Sequence, residues 1–241
     1  MKIIKNFDDS TFYESDKFPY LLASALIKLS HRNILLADIG CGNGILLSEI
    51  HKFRSVYRNN NSDILYAVDI LQKHLNNIHI PSVIKIICNG YNTPISNDGL
   101  DFVTCTQAIE HMDDIKLLHE IKRIMKNNAY CYLSTVVKKP YGIYIYRRNN
   151  KFVLSPDHIK EYKSLNEIIK LCESCGFTII DTKLGIFKYS ILDMIIRILI
   201  RTEVIKIDLK YYEKLWLLKW IRKINIPIVG FYKAELLLQL K

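Results

Sequence analysis

Four places in the chain hold side chains whose types and spacing suit them to act on a ligand. The run Asp38-Ile39-Gly40-Cys41-Gly42-Asn43-Gly44 sets three glycines at alternate positions behind an acid. Glycines so placed let a backbone turn sharply and approach a bound molecule closely. Asp69 closes the apolar run Ile64-Leu65-Tyr66-Ala67-Val68. An acid there either accepts hydrogen bonds from neighbouring ribose hydroxyls or caps a turn or helix. Glu110-His111 and, further on, His158 with Glu161 offer groups able to take up or release a proton near neutral pH. The plainer readings are loop-backbone contacts for His111 and a helix start at Ser155-Pro156-Asp157.

The glycine loop discriminates between ligands. A dinucleotide site needs G-x-G-x-x-G, and the third position of that pattern is Ile45. Asp38 would also sit badly beside a pyrophosphate, which seeks a positive helix start. S-adenosylmethionine (SAM) carries a sulfonium and an ammonium and no phosphate, so nearby carboxylates favour it over a nicotinamide.

These groups must be held by a series of alternating elements. The pattern predicts a helix over Phe18–Ser30 and a strand over Asn33–Ile39. A helix over Ile45–Phe53 is followed by strands over Ile64–Asp69, Ser82–Cys88 and Leu100–Thr106. Asp113–Lys126 reads as an amphipathic helix with Ile115, Leu118, Ile121, Ile124 and Met125 on one side. A strand over Tyr130–Val137, a helix over Ser164–Cys175 stopped by Gly176, and strands from Phe177–Asp181 and Lys233–Lys241 complete the series. Alternation of this kind predicts a doubly wound α/β fold, a mostly parallel sheet covered on both faces. Residues 138–162 stand out as a long, lid-like connection, and 188–224 as a helical insertion between the last two strands. The length, 241 residues, suits a single domain spanning 1–241.

Composition narrows the setting. With 49% hydrophobic and 24% charged residues the chain is globular in character. No apolar run reaches the roughly 20 residues that cross a bilayer, and no signal-peptide core is present at Met1–Asp9, so a cytoplasmic location is the expectation. Of six cysteines, only Cys172 and Cys175 are spaced like metal ligands. They lack a second pair, which argues for thiols packed on a helix. The net charge is +10, and residues 182–241 contribute 12 Lys/Arg against 5 Asp/Glu. Lys206, Lys210 and Lys214, with Trp216, Leu217, Trp220 and Ile221, make a basic amphipathic stretch. It suits either a membrane surface or packing on the domain.

Several segments resemble the class I SAM-dependent methyltransferases, particularly the small-molecule branch that includes ubiquinone-biosynthesis O-methyltransferases. They are Leu35–Gly44, Ala67–Asp69, Cys88–Ile95 and Leu100–Met112, with a weaker match at Asp157–Tyr162 and Gly176-Phe177. The resemblance implies a Rossmann-like seven-stranded sheet of order 3-2-1-4-5-7-6 with the last strand antiparallel. It implies that Asp38, Gly40, Gly42 and Gly44 line the methionine end of SAM, and that Asp69 holds its ribose. Asn89 would stand beside the adenine amino group, where the family usually has Asp. Thr106 and Gln107 would face the sulfonium. In some relatives an E-x-x-E-H run binds a divalent metal. Here Gln107 replaces the first carboxylate with a weakly ligating amide, so no metal is expected.

Displacement at a sulfonium methyl is helped mostly by alignment and exclusion of water, and needs a base only when the acceptor must lose a proton. Glu110, His111 and His158 are the catalytic candidates. There is no [DN]-P-P-[YF] run of base-amino methylation after Cys105, and no Pro-Cys nucleophile. The expected reaction is methyl transfer to an O or C atom of a small acceptor, with isoprenoid, lipid-linked and glycan acceptors in view and peripheral membrane contact through 188–224. The alternatives are an RNA methyltransferase using the basic C-terminal face and a non-catalytic SAM-fold binding protein.

Overall fold

The computed structural model describes residues 18–57, 62–148, 150–201, 221 and 224–240. Seven strands form one sheet: β1 (Leu35–Ile39), β2 (Ile64–Asp69), β3 (Val83–Ile87), β4 (Leu100–Thr106), β5 (Met125–Lys138), β8 (Phe177–Ser190) and β9 (Asn225–Leu240). Their order is β3-β2-β1-β4-β5-β9-β8, with β1 to β5 parallel and β9 antiparallel to both neighbours. A small hairpin, β6 (Tyr146–Arg148) and β7 (Lys151–Val153), lies between β5 and β8 in the chain. Leaving that hairpin out, the order is the 3-2-1-4-5-7-6 expected.

Side chains alternate along buried strands, so each face needs its own cover. In β1, Leu36 faces a cluster formed by α1 (Tyr20–Lys28), α2 (Ile45–Tyr57) and α3 (Gln72–Asn76), through Leu22, Leu26, Leu47, Ile50 and Leu75. Ala37 and Ile39 join the opposite cluster, where α4 (Asp114–Ile124) and α5 (Leu165–Ser174) contribute Leu117, Leu118, Ile121, Ile168 and Cys172. Asp113 caps α4 by accepting from the Lys116 N–H, and Ser164 caps α5 at the Glu167 N–H. Loss of such a cap costs about 0.5–2 kcal/mol. Gly176, at φ +93°, ends the turn beyond α5 as its position predicts. Cys172 and Cys175 are buried free thiols, and burial pushes the Cys172 thiol up to about 12.

Four expectations need correction. Ile115 is 52% exposed, and Leu117 takes the core position instead. Met125 is not helical: it opens β5, pairing with Leu100. The two last strands run far beyond Asp181 and begin well before Lys233, because their ends pair with each other as a long antiparallel ribbon, Lys188 opposite Pro227 and Ser190 opposite Asn225. Two register shifts in that ribbon break the apolar alternation that would have marked it as strand. The helical insertion accordingly starts at α6 (Ile191–Arg201); the stretch from Lys206 to Trp220 lies outside the described residues. Among the described residues no helix is long and apolar enough to cross a membrane.

Candidate active site

The carboxyl ends of β1, β2 and β4 open on a cleft of about 570 Å3. Ligands of open parallel sheets bind in this place, where connections leave to opposite faces. At its floor the glycine loop folds back on β2: the N–H groups of Gly40 and Cys41 both donate to Val68 O, at 2.9 and 3.0 Å. Gly40 stands at φ +72°, and a β-carbon there would lie 2.6 Å from that of Ala108. Only glycine lets the loop and the segment after β4 come this close. Gly44, expected to touch the ligand, does not line the cleft. Its missing β-carbon makes room for Ile78, whose Cγ1 a side chain would meet at 2.7 Å.

Two acids face this floor. Asp38 is fully buried at the end of β1, and the Thr104 hydroxyl donates to its Oδ1 at 2.7 Å. Burial, assisted by the nearby Asp69 charge and opposed by that hydrogen bond, raises its pKa to about 7. Asp69 accepts from the N–H of Gly42 (2.9 Å) and of Leu71 (2.8 Å), and its Oδ1 lies 3.1 Å from His74 Nδ1. Burial alone would raise its pKa, but His74 and the two amides outweigh that and hold it below the usual carboxylate range. Asp69 is thus an ionised acid that already locks the glycine loop to β2. His74, its third partner, carries no signal in the sequence pattern. Asn89 lines the same end, with its carbonyl oxygen 3.4 Å from the Tyr91 N–H.

The other end of the cleft gathers the three catalytic candidates. Glu110 and His111 belong to a 3-10 turn, Ile109–His111, just after β4. His158 arrives from the connection after β7 and stacks edge-on against His111, with ring centres 4.8 Å apart. Potential ligand atoms of Glu110, His111 and His158 all lie within 4.8 Å of one another, which is spacing able to seat a cation. The backbone secures the meeting: the N–H groups of Ile159 and Lys160 both donate to Glu110 O, at 2.8 and 3.3 Å. Asp114 adds a second tie through Lys160 Nζ (2.6 Å) and the Tyr162 hydroxyl (3.1 Å).

The proton states of these groups follow from their partners. His158 Nδ1 lies 3.2 Å from Glu161 Oε1, which also accepts the Leu154 N–H at 2.7 Å. A carboxylate only accepts, so Nδ1 carries a proton toward Glu161, and that contact fixes the orientation of the ring. His111 is held below the ordinary imidazole range chiefly by burial, with His158 adding to it against the pull of Glu110 and Asp157. It is neutral at pH 7 and able to accept a proton. Glu110 takes the Thr135 hydroxyl on one oxygen at 2.7 Å, while its other oxygen is buried without a partner.

Gln107 and Thr106 also line the cleft. Gln107 adopts φ +52°, its N–H donates to Ser134 O at 2.9 Å, and its side-chain Nε2 is buried without a partner. Ser155 Oγ is likewise unpaired. A buried polar atom left unsatisfied costs about 1–3 kcal/mol. Three of them on one cleft wall mark a surface shaped for a polar ligand. Tyr144, Leu154, Phe187 and Tyr189 complete that end, and sequence reasoning missed all four. They come from the hairpin connection and the ribbon end of β8, far from any motif.

Comparison with known proteins agrees with this geometry. The profile of the methyltransferase-domain family matches residues 14–182. The chain belongs to that family, and its sheet has the class I methyltransferase fold. It is 26% identical over 131 residues to an uncharacterized protein of Methanocaldococcus jannaschii, covering 54% of this chain and 50% of that one. The chain thus spans about half the length of the curated relative it matches. A SAM-dependent methyltransferase of Methanosarcina mazei superposes with a TM-score of 0.57 at 12% identity, covering 94% of this chain and 99% of that one. A phosphoethanolamine N-methyltransferase of Haemonchus contortus, in complex with phosphomonomethylethanolamine and S-adenosylhomocysteine, gives 0.53 at 16% identity, covering 92% and 52%. At these identities the structural matches speak for the fold alone.

Proposed function

We propose that the chain methylates an oxygen or carbon atom of a small acceptor with an apolar or lipid-linked body, using Glu110, His111 and His158 to manage the acceptor proton. The meeting of those three side chains at one end of the cleft, opposite the glycine loop, carries this reading.

The floor fits SAM. Asp38 and Asp69 offer carboxylates where the ligand brings an ammonium and ribose hydroxyls, and Gly40 and Gly42 admit it close to the backbone. Asn89 lies toward the adenine end, and Thr106 and Gln107 between the two ends. When bound, SAM supplies a methyl group already activated by the sulfonium. The chain's own part is to align the acceptor, exclude water and hold a proton. His111, neutral and facing the cleft, takes the acceptor proton; Glu110 stabilises the imidazolium that results; His158, oriented by Glu161, packs edge-on against the His111 ring and holds it in place.

The acceptor's chemistry is read from the same wall. Among the described residues Lys73 is the one Lys or Arg that lines the cleft, and it follows β2 at the cofactor end. The acceptor end therefore suits a neutral group rather than a phosphate. Its aromatic side suits an apolar body. A second reading rests on the same 4.8 Å cluster: Glu110, His111 and His158 would hold a divalent cation that polarises the acceptor oxygen.

The test is to incubate the protein with methyl-labelled SAM and a lipid extract, and to follow label into the organic phase. Label that stays in SAM while S-adenosylhomocysteine binds tightly would refute the acceptor class and keep the cofactor reading. Loss of transfer on chelation, restored by added metal, would replace the metal-free base with the second reading.

A further inference from the structure

The reverse side of the acceptor wall carries a surface that methyl transfer does not use. Along β8, Phe187 and Tyr189 point into the cleft, while Ile186 and Lys188 alternate to the outside. Ile186 pairs across the ladder with Tyr232, and Lys188 with Pro227. The Tyr232 hydroxyl is 3.3 Å from that of Tyr141, on the turn after β5. Two residues on, the Ile143 N–H donates to Val229 O at 3.2 Å. Tyr141, Ile143, Ile186 and Val229 therefore adjoin, and they are between 58% and 62% exposed. Four large apolar side chains open to water on neighbouring segments form a patch rather than scattered exposure.

The charges in this patch have one sign. Residues 138–144, 184–190 and 225–232 hold Lys138, Lys139 and Lys188 and no Asp or Glu. The chain that continues from the ribbon keeps the bias, with 12 Lys/Arg against 5 Asp/Glu over residues 182–241. A core-forming protein partner would favour depletion of lysine at the centre of the patch. Nucleic acid would leave the isoleucines and valine without a use. Aromatic and aliphatic side chains with lysines on the same segments match the interface of a bilayer with anionic headgroups.

We infer that the ribbon of β8 and β9, with the Tyr141–Ile143 turn, is a docking face for an anionic membrane surface. Tyr141, Ile143, Ile186 and Val229 enter the headgroup boundary, and Lys139 and Lys188 meet the phosphates. The face lies on the back of the aromatic wall, so docking leaves the cleft itself uncovered. This goes beyond methyl transfer and does not need it to be correct, because binding is read without cofactor.

The experiment is co-sedimentation of the full chain with phosphatidylglycerol vesicles and, separately, with phosphatidylcholine vesicles. Two lysines at about fivefold each predict roughly 25-fold tighter binding to the anionic vesicles at low salt. The double variant Ile186→Asp/Val229→Asp should lose most of that binding while its affinity for S-adenosylhomocysteine is unchanged, which reports an intact fold. Should that variant misfold, Lys139→Glu/Lys188→Glu tests the same face with surface changes alone. Equal binding to both vesicles, or binding insensitive to a folded variant, overturns the inference. So does a variant that splits a dimer instead of releasing vesicles, or tRNA bound more tightly than the anionic lipid through the same lysines.

Discussion

The two ends of the cleft are built by different means. The cofactor end is made by short, consecutive segments: a loop of seven residues, one acid at a strand end and the turn after it. Its polar groups are already satisfied by each other, as Asp69 shows by holding Gly42, Leu71 and His74 together. The acceptor end is assembled from residues far apart in sequence, and several of its polar atoms are left unpaired. One end is a finished cradle, the other a set of groups brought together to meet something else. Substitutions at one end should therefore leave the other end's readout alone.

The largest effect is expected from Glu110→Gln. Removing the charge that supports His111 should lower kcat by roughly 10²- to 10⁴-fold, with S-adenosylhomocysteine affinity in calorimetry unchanged. A matching loss of cofactor affinity would show that the two ends are coupled. Asp69→Ala removes a buried acceptor from two amides and a histidine. It should weaken S-adenosylhomocysteine by about 10- to 100-fold, or roughly 1.4–2.7 kcal/mol, while NADH fails to bind either protein. Asp38 supplies a pH signature for the cofactor end. Its pKa of about 7 falls when a cationic ligand binds, so binding releases a proton below that value. SAM affinity should thus fall as pH drops from 7 to 5.5, by up to about tenfold per unit, and the dependence should vanish in Asp38→Asn. The smallest effect is expected from Asp114→Asn, which loosens Lys160 and Tyr162 without touching a ligand. It should lower kcat a few-fold in steady-state kinetics, with cofactor binding intact.

The same contrast explains what could be read from the sequence. The cofactor end was legible because backbone turns, strand ends and acids occupy a few consecutive positions, and β1 to β4 sit within a residue or two of where periodicity places them. Gly44 shows the limit even there: its spacing is shared with ligand-touching glycines, but a packing neighbour 34 positions away requires it. At the acceptor end, Glu110, His111 and His158 were identifiable by chemical type. Their convergence was not, because it depends on Glu110 O receiving two amides from residues 159 and 160. The metal question turns on the same fact. The sequence motif lacks a carboxylate at Gln107, whereas the structure brings His158 into the cluster from 47 positions downstream. Tyr144, Phe187 and Tyr189 were invisible, since aromatic residues in an irregular ribbon look like any packed core.

The position of β9 has a consequence for how the chain must be made. It is the last strand of the sheet to be synthesised, yet it lies between β5 and β8 and pairs with both along most of their length. Until residues 225–240 leave the ribosome, β8 has no place in the sheet and the apolar edge of β5 stays open. At about 5–20 residues per second the roughly 50 residues after β8 take on the order of several seconds to emerge. During that interval the nascent chain presents two unpaired edges to its surroundings, and a factor that shields them would serve this protein more than one whose strands join the sheet in chain order.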